Sequence, residues 1–326
     1  MGLSCLMISC SAQRIEPQRN TVPQKTNAAL PKTPQKPEIT LSHGVEFYRQ
    51  NIGDVSKNDN TISHGSLVSA KPEGYVISKT FFPAVAQNFR QRYLILHYTA
   101  LDEEKSVRVL TQQAVSSHYL VNNRDDREIY QLVDENKRAY HAGVSVWRND
   151  KNLNDASIGI EIVNQGYVLD SVGKKVFSPY DKAQIKKVAA LVKDIVERYQ
   201  IPAVNVLGHS DIAPTRKQDP GPLFPWKKLY DDYNIGMWYD EEVKQKFMNE
   251  ITPEVFALEQ NSISFITKVQ NALRKFGYDI GTTGVWNRDN TKVVEAFQYR
   301  FRPEIYDGVV DRETWAILQA LNQKYP

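Results

Sequence analysis

Two histidines each lie at the end of a short apolar run that has the composition of a β-strand. His97 ends the apolar part of RYLILHYTA (Arg92–Ala100), and His209 ends IPAVNVLGH. If the two strands share one sheet, both imidazoles reach the same edge of it. A hydrolytic zinc site needs three protein ligands and one open position, and imidazoles with a carboxylate are a common set. His97 and His209 are therefore candidate ligands of Zn2+.

The carboxylate ligand has two candidates, Asp211 and Asp219, in the segment GHSDIAPTRKQDPGPLFPW (208–226). Proline restricts the backbone and removes a donor, so this segment is predicted to be a rigid, irregular loop. Its prolines are Pro214, Pro220, Pro222 and Pro225. Spacing alone does not choose between the aspartates. We favour Asp219, because Asp211 would have to bend back immediately after His209. The alternative is a charged surface turn.

A carboxylate suited to acid–base chemistry lies on a third predicted strand, ASIGIEIVNQG (Ala156–Gly166). Period two places Glu161 on the face opposite Ile158, Ile160 and Ile162. Beside a metal ion, a carboxylate can take a proton from the attacking water. Glu161 is therefore the candidate general base. The alternative is a solvent-facing residue of an amphipathic strand.

Lys217 lies in the proline-rich loop, shortly before Asp219. Its ammonium group could stabilise the oxyanion that forms when water adds to an amide carbonyl. The alternative is an exposed loop lysine without a role in the reaction.

The remaining histidines narrow the choice of further site residues. His43 and His64 lie in N-terminal segments where a solvated imidazole is the simplest interpretation. His118 lies in an alternating strand and is expected to be packed or hydrogen-bonded. His141, in the sequence YHAG, is the one further histidine available to the site.

The elements around these residues indicate an α/β fold. Residues 116–121 and 127–133 flank the polar turn NNRDD and predict a hairpin. From Asp181 to Tyr199 the apolar residues recur every three or four positions, which predicts a helix with one buried stripe. We expect a mixed central β-sheet with flanking helices over residues 75–235.

A second, smaller unit is predicted over residues 260–324, after a shift in composition. Three segments carry helical periodicity: ISFITKVQNALRKFGYD, TKVVEAFQYRF and ETWAILQAL. The segments GVWNRDNT and GVVDRETW each place a glycine turn and an Asn or Asp cap before a helix. The unit contains no cluster of histidines and acids, so we expect a binding module or a structural appendage.

Charge and cysteine content restrict the partners and the site chemistry. The chain has 326 residues and a net charge of +3, without a long Lys and Arg run. A nucleic-acid partner is therefore not expected. Both cysteines, Cys5 and Cys10, lie at the N-terminus, so the body has neither a disulfide framework nor a cysteine nucleophile.

The first ten residues are short and apolar, and MISC, which ends at Cys10, resembles the box at which a bacterial lipoprotein signal is cut. We expect a signal segment over residues 1–10, a lipid anchor on Cys10 and a disordered tether over residues 11–40. The segment lacks a basic start, so an ordinary disordered N-terminus is the alternative. The oligomeric state stays open.

Several of these segments together resemble the type 2 N-acetylmuramoyl-L-alanine amidases, a family similar to the peptidoglycan recognition proteins. The resemblance covers residues 85–235 and is carried by LILHYTA, SSHYLV, YHAG, LNDASIGIEIVNQG and above all by the proline-rich loop. It implies zinc ligands at His97, His209 and Asp219. It also implies that Glu161 assists the attacking water, that Lys217 supports the transition state and that His141 contacts substrate.

The resemblance implies hydrolysis of the amide bond between N-acetylmuramic acid and L-alanine in peptidoglycan or muropeptides. The C-terminal unit resembles a three-helix peptidoglycan-binding domain through AFQYRF and DGVVDRETWAIL, although GTTGVWNRDNT lacks the second turn glycine. With the signal segment, this implies an outer-membrane lipoprotein that faces the periplasm of a Gram-negative bacterium. The alternatives are a non-catalytic peptidoglycan sensor on the same fold and a cytoplasmic amidase that recycles anhydro-muropeptides.

Overall fold

The structure is a computed structural model that describes residues 38–42, 45–49, 86 and 88–326. The predicted site residues lie around its central sheet. The strands in the described part of the chain are β1 (Glu38–Ser42), β2 (Val45–Arg49), β3 (Tyr93–Tyr98), β4 (Tyr119–Val121), β5 (Tyr130–Gln131), β6 (Val146–Trp147), β7 (Asp150–Lys151), β8 (Ser157–Ile162), β9 (Tyr167–Leu169), β10 (Lys175–Phe177) and β11 (Val206–Gly208). Five of them form the central sheet in the order β11-β3-β8-β4-β5. The first four are parallel and β5 is antiparallel to β4, which confirms the predicted mixed sheet.

The central strands β3 and β8 are almost entirely buried. Strands of a parallel sheet are covered on both faces, and the apolar run of β3 fits this position. In β8 the isoleucines instead alternate with Ser157, Gly159 and Glu161. The predicted hairpin also forms, since Tyr119 of β4 pairs with Gln131 of β5. A separate pair, β9 and β10, forms an antiparallel hairpin after β8.

The α-helices in the described part of the chain are α1 (Glu103–Gln112), α2 (Lys182–Tyr199), α3 (His209–Ile212), α4 (Trp226–Tyr233), α5 (Glu241–Glu250), α6 (Pro253–Glu259), α7 (Ile263–Phe276), α8 (Arg288–Phe301) and α9 (Arg312–Lys324). Helix α2 is the helix predicted from periodicity. It begins after Asp181, whose side chain accepts hydrogen bonds from the backbone amides of Ala183 and Gln184. Its buried stripe includes Val188 and Val192.

The three C-terminal helices predicted from periodicity are α7, α8 and α9. The composition shift before them contains two more helices, α5 and α6. The C-terminal helices belong to the same continuous apolar core as the sheet. Trp147 is fully buried at this junction and meets the rings of Phe276 and Tyr278 edge-on. Gly277 leaves room for Trp147, because an added Cβ would lie 2.7 Å from its ring.

Several N-terminal predictions lie outside the described residues. They are the signal segment 1–10 with Cys10, residues 11–37 of the expected tether, and the interpretation of His43 and His64. The last three positions of the expected tether, residues 38–40, lie in strand β1 instead of a disordered segment. Among the helices that the structure describes, none has the length and apolar character required to cross a bilayer.

Candidate active site

The carboxyl ends of three parallel strands bring the site residues to one edge of the sheet. In the β3–β8 pair, His97 lies directly opposite Glu161. In the β11–β3 pair, Gly208 lies opposite Leu96, so His209 follows at the level of His97. Open α/β sheets bind their ligands at this end of the strands. The site therefore follows from strand order and register.

Three donor atoms converge at this edge. His97 Nδ1 and His209 Nδ1 are 2.9 Å apart, and each lies 3.0 Å from Asp219 Oδ2. The three side chains are nearly inaccessible to solvent, at 1%, 2% and 6% exposure for the residues. Two imidazole nitrogens and a carboxylate oxygen at these separations form a group that could hold a metal ion.

The distal nitrogens of both imidazoles have partners of their own. His209 Nε2 lies 3.0 Å from the Ala142 carbonyl oxygen, and His97 Nε2 lies 3.0 Å from His141 Nδ1. A metal ligand uses the Nδ1 lone pair, so Nε2 carries the proton and donates to the outer partner. These hydrogen bonds select the tautomer and ring orientation that metal binding needs.

The charges of the donor set also suit a cation. Burial, followed by the neighbouring His209, lowers the pKa of His97 to about 4, so this imidazole is neutral at pH 7. Burial alone would raise the pKa of Asp219, but the two imidazoles hold it well below its usual range. At neutral pH, the site therefore presents an uncharged His97 ring and a carboxylate, the forms that bind metal.

The proline-rich loop holds the two ligand segments together. The Ser210 amide donates to the Asp219 carbonyl oxygen at 2.8 Å. Pro220 packs against Gly208, where an added Cβ would lie 2.6 Å from the proline ring. The Asp211 carboxylate instead accepts from the Gly208 amide at 2.8 Å. Of the two aspartates that spacing leaves open, Asp219 is the one that reaches the histidines.

Glu161 and Lys217 line a cavity of about 240 Å³ together with His209 and Asp219 of the donor set. Glu161 Oε2 is buried and has no hydrogen-bond partner among the described residues. Burial, followed by the charge of Asp219, raises the pKa of Glu161 to about 8, while Lys217 opposes the rise. A carboxylate with a pKa near neutrality can both accept and return a proton, as a general acid–base catalyst must.

Comparison with known proteins identifies the family. Residues 87–222 match the family described as N-acetylmuramoyl-L-alanine amidase. A curated relative, N-acetylmuramoyl-L-alanine amidase AmiD of Escherichia coli strain K12, is 42% identical over 263 residues, which cover 78% of this chain and 90% of the relative. The chain belongs to the N-acetylmuramoyl-L-alanine amidase family. Residues 264–318 also match the family described as a peptidoglycan binding domain.

Two solved structures resemble this amidase over most of its length. One is AmiD from E. coli in complex with anhydro-N-acetylmuramic acid-L-Ala-D-γ-Glu-L-Lys, with a TM-score of 0.71, 41% identity and coverage of 78% of this chain and 97% of that one. The other is AmpDh3 from Pseudomonas aeruginosa in complex with anhydromuramic pentapeptide, with a TM-score of 0.69, 41% identity and coverage of 77% and 99%.

His141 lies behind the donor set as well as beside the cavity. Its ring packs on Gly159 of β8, where an added Cβ would lie 2.4 Å from the ring. Its Nε2 lies 3.1 Å from Ser157 Oγ, so a chain of hydrogen bonds runs from His97 through His141 to that hydroxyl. The expected contact between His141 and substrate stays a prediction. The hydrogen bond to His97 gives His141 a second role, which is to hold the His97 ring in place. His118 is buried and its Nδ1 accepts from the Gly159 amide, as a hydrogen-bonded histidine was expected to do.

Two residues near the site were not predicted from sequence. Arg216 Nη2 donates to the carbonyl oxygens of Ala142 and Val144, and it lies 3.4 Å from His209 Nε2. Asn154 Oδ1 accepts from the amides of His141 and Ala142. Both therefore hold the segment that supports the ligand histidines. Both positions carried a signal, because Arg216 lies beside Lys217 in the loop and Asn154 lies in LNDASIGIEIVNQG, one of the segments that carry the family resemblance.

Proposed function

We propose that this protein is a zinc-dependent amidase that hydrolyses the bond between the lactyl group of N-acetylmuramic acid and L-alanine in peptidoglycan or muropeptides. The convergence of two imidazole nitrogens and one carboxylate oxygen within 3.0 Å of one another carries the proposal. The relatives AmiD and AmpDh3 bind anhydromuramic peptides in solved complexes, which supports this substrate class.

His97, His209 and Asp219 would hold Zn2+, because their donor types and separations fit a site with one open position. When bound, the ion would act as a Lewis acid that polarises the amide carbonyl and lowers the pKa of water. The outer hydrogen bonds from His97 to His141 and from His209 to Ala142 keep both rings oriented toward it.

Glu161 moves the proton in this mechanism. Its unpartnered Oε2 takes a proton from water as the water oxygen bonds to the amide carbon. The same group then returns that proton to the nitrogen of L-alanine while the carbon–nitrogen bond breaks. The products are the lactyl carboxylate and the free amine of the peptide. The raised pKa of Glu161, about 8, favours the protonated form that returns the proton.

Lys217 lines the same cavity and brings a positive charge to it. That charge would stabilise the oxygen that becomes negative when water adds to the carbonyl. The backbone of Lys217 is fixed within the loop, because its amide donates to the Ala213 carbonyl oxygen at 3.0 Å.

Incubation of the full chain with anhydro-N-acetylmuramyl tripeptide and with intact sacculi tests the proposed reaction. Mass spectrometry should detect free peptide that begins with L-alanine, and a chelator should abolish its release. Release that persists at full rate in metal-free protein would contradict the metal requirement. Binding of sacculi without any cleavage would instead favour a non-catalytic sensor.

We further propose two functional units, the catalytic unit at residues 75–235 and a peptidoglycan-binding-like unit at 260–324. The family matches at 87–222 and 264–318 support these limits. Sedimentation of the full chain with purified sacculi in the cold, in the presence of a chelator, measures wall binding separately from cleavage. Absence of the chain from the pellet would contradict the binding role.

Cys10 is proposed to carry a lipid anchor that places the protein on the outer membrane, facing the periplasm. The support is the MISC sequence at residues 7–10 together with a family whose substrate lies in the cell envelope. Labelling of cells with a fatty-acid analogue should mark the wild-type chain and not Cys10→Ala. Equal labelling of both chains would contradict the assignment, and Cys5→Ala is the matched control.

A further inference from the structure

The carboxylate of Asp211 is held by two side chains from the C-terminal helical unit. Tyr278, just after α7, donates from its hydroxyl to Asp211 Oδ1 at 2.7 Å, and Arg300 of α8 donates from Nη1 to Asp211 Oδ2 at 2.8 Å. The three residues are at most 2% exposed. This is a fully buried polar connection between the C-terminal unit and the segment that carries His209.

Asp211 transmits this connection to the donor set. Its Oδ2 also accepts from the Gly208 amide at 2.8 Å, on the N-terminal side of His209. The residue before Asp211, Ser210, donates its amide to the Asp219 carbonyl oxygen at 2.8 Å. The Asp211 carboxylate therefore holds the backbone at the start of α3, where His209 lies. The backbone of the same helix is hydrogen-bonded to the backbone of Asp219.

Helix α3 needs such external support because it has only four residues, His209–Ile212. A helix this short is not stable by itself, so tertiary contacts determine its orientation. The hydrogen bonds of Asp211 to Tyr278 and Arg300 supply such contacts from within the buried interior. A small rotation of α3 would change the separation between His209 Nδ1 and the other two donor atoms.

The Arg300 guanidinium group contacts an aromatic ring and a carboxylate in the interior. Its guanidinium carbon lies 4.0 Å from the centroid of the Trp226 ring, at the end of the proline-rich loop. Its Nε and Nη2 have no hydrogen-bond partner among the described residues, and Asp211 is the one acid paired with it there. Buried ion pairs contribute little net stability compared with apolar residues of the same size, and in some proteins their role is to fix the register of packed elements. The pair is thus better suited to orient α3 than to stabilise the fold.

Tyr278 supports the same interpretation. Burial, followed by the charge of Asp211, raises the pKa of Tyr278 well above its usual value, so the hydroxyl remains a neutral donor. Its ring meets Trp147 edge-on at 5.2 Å between centroids. The hydroxyl is therefore positioned by packing that does not depend on the metal site.

We propose that Arg300 and Tyr278 are positioning residues of the metal site, through which the C-terminal unit completes the catalytic unit by holding Asp211 and thereby His209. The inference rests on the proposed metal-binding function. It assigns the C-terminal unit a role in building the active site, in addition to any binding of the wall.

The test compares full-length Arg300→Met and Tyr278→Phe with a matched control, Phe265→Leu. Phe265 is buried in α7 of the same unit, but its ring packs on Phe256 and Trp315 rather than on Asp211. Each protein is loaded with zinc, and the rate of metal loss to an excess of a coloured chelator is measured. The visible spectrum of the cobalt-loaded protein reports the geometry of the donor set.

We expect about tenfold faster zinc loss for Arg300→Met and a smaller increase for Tyr278→Phe, within the range known for residues that support metal ligands. The cobalt spectrum should shift in both variants. Phe265→Leu should lower the unfolding temperature while zinc loss and spectrum stay at wild-type values. Wild-type values for Arg300→Met and Tyr278→Phe would overturn the inference.

Tyr278→Phe keeps the ring and removes one hydroxyl, so it decides the question if Arg300→Met does not fold. Failure of the wild-type chain to bind zinc at all is a different result, because it contradicts the proposed function itself. The double variant Asp211→Asn with Arg300→Met removes both charges of the pair. Recovery of the unfolding temperature without recovery of slow zinc loss would support positioning, whereas recovery of both would overturn it.

Discussion

His97 and Glu161 lie directly opposite each other on the neighbouring parallel strands β3 and β8. This register places a candidate metal ligand and a candidate proton carrier at the same level of one sheet edge. Glu161 lines the cavity that Asp219 and Lys217 also line, whereas His97 is almost fully covered. Binding of the metal and transfer of the proton are thus assigned to separate side chains, which mutation can distinguish.

Glu161→Gln should retain zinc and lose turnover by about 10²–10⁴-fold, because the amide cannot carry the proton. Zinc per chain and cleavage of anhydro-N-acetylmuramyl tripeptide are the measurements. Glu197→Gln, at an exposed position of α2, is the matched control. Unchanged turnover in Glu161→Gln would contradict the assigned role.

Lys217→Met should lower kcat by about 10²–10³-fold, since a charge that stabilises the oxyanion is lost. Zinc content should remain at the wild-type value, because the ammonium group is not a ligand. Lys227→Met removes an exposed lysine of α4 and serves as control. A variant with normal kcat would show that Lys217 is an ordinary loop lysine.

His209→Ala should lose zinc during dialysis, because two donors remain where three are needed. Elemental analysis of dialysed protein gives the zinc per chain. Wild-type protein stripped with a chelator and then resupplied with zinc controls for damage by the treatment and should recover activity. Retention of one zinc per chain by His209→Ala would place the metal elsewhere.

His141→Ala should lose zinc about 10–100-fold faster than wild type and should lower kcat, because His97 loses the acceptor of its Nε2 proton. KM should change little. Ser157→Ala, which removes the outer end of the same chain, should have a smaller effect. A raised KM with normal zinc retention would instead support His141 as a substrate contact.

Because of Glu135, the free energy of unfolding should fall as the pH is lowered below 5. Burial would raise its pKa, but Arg198, Tyr119 and Tyr199 bond to the carboxylate and lower the pKa to about 2. A group with a depressed folded pKa stabilises the protein above its unfolded pKa, near 4.5, and this contribution disappears as pH falls toward 2. The contribution is about 3 kcal/mol at neutral pH.

Urea unfolding between pH 7 and pH 3 measures this effect. Glu135→Gln should be less stable at pH 7 and should show a flatter decline of the free energy of unfolding toward pH 3. Glu197→Gln, at an exposed carboxylate, should follow the wild-type curve. Parallel curves for wild type and Glu135→Gln would contradict the prediction.

Much of the fold was predictable because periodicity records which faces are buried. The run at Arg92–Ala100, the helix after Asp181 and the three C-terminal helices all formed where apolar spacing predicted them. The proline-rich loop was predicted as irregular, yet its first residues His209–Ile212 form a short helix. They precede Pro214, so proline imposes no constraint on that turn.

The choice of donors illustrates what sequence alone decided. Residue types limited the site to histidines and acids, since no cysteine lies in the body of the chain. The ends of the predicted strands singled out His97 and His209 as candidate ligands. Between Asp211 and Asp219, spacing left two candidates, and in the structure Asp219 is the one that lies beside both histidines.

Only the tertiary structure decided that Asp211 accepts hydrogen bonds from the C-terminal unit and is not a candidate metal ligand. It likewise decided which residues of the C-terminal helices lie near the site. The Asp211 partners Tyr278 and Arg300 lie 67 and 89 residues further along the chain. No local pattern records a contact of that separation, because periodicity reports burial and not the identity of the neighbour. The sequence therefore determined the chemistry that is available, while chain packing determined which side chains meet.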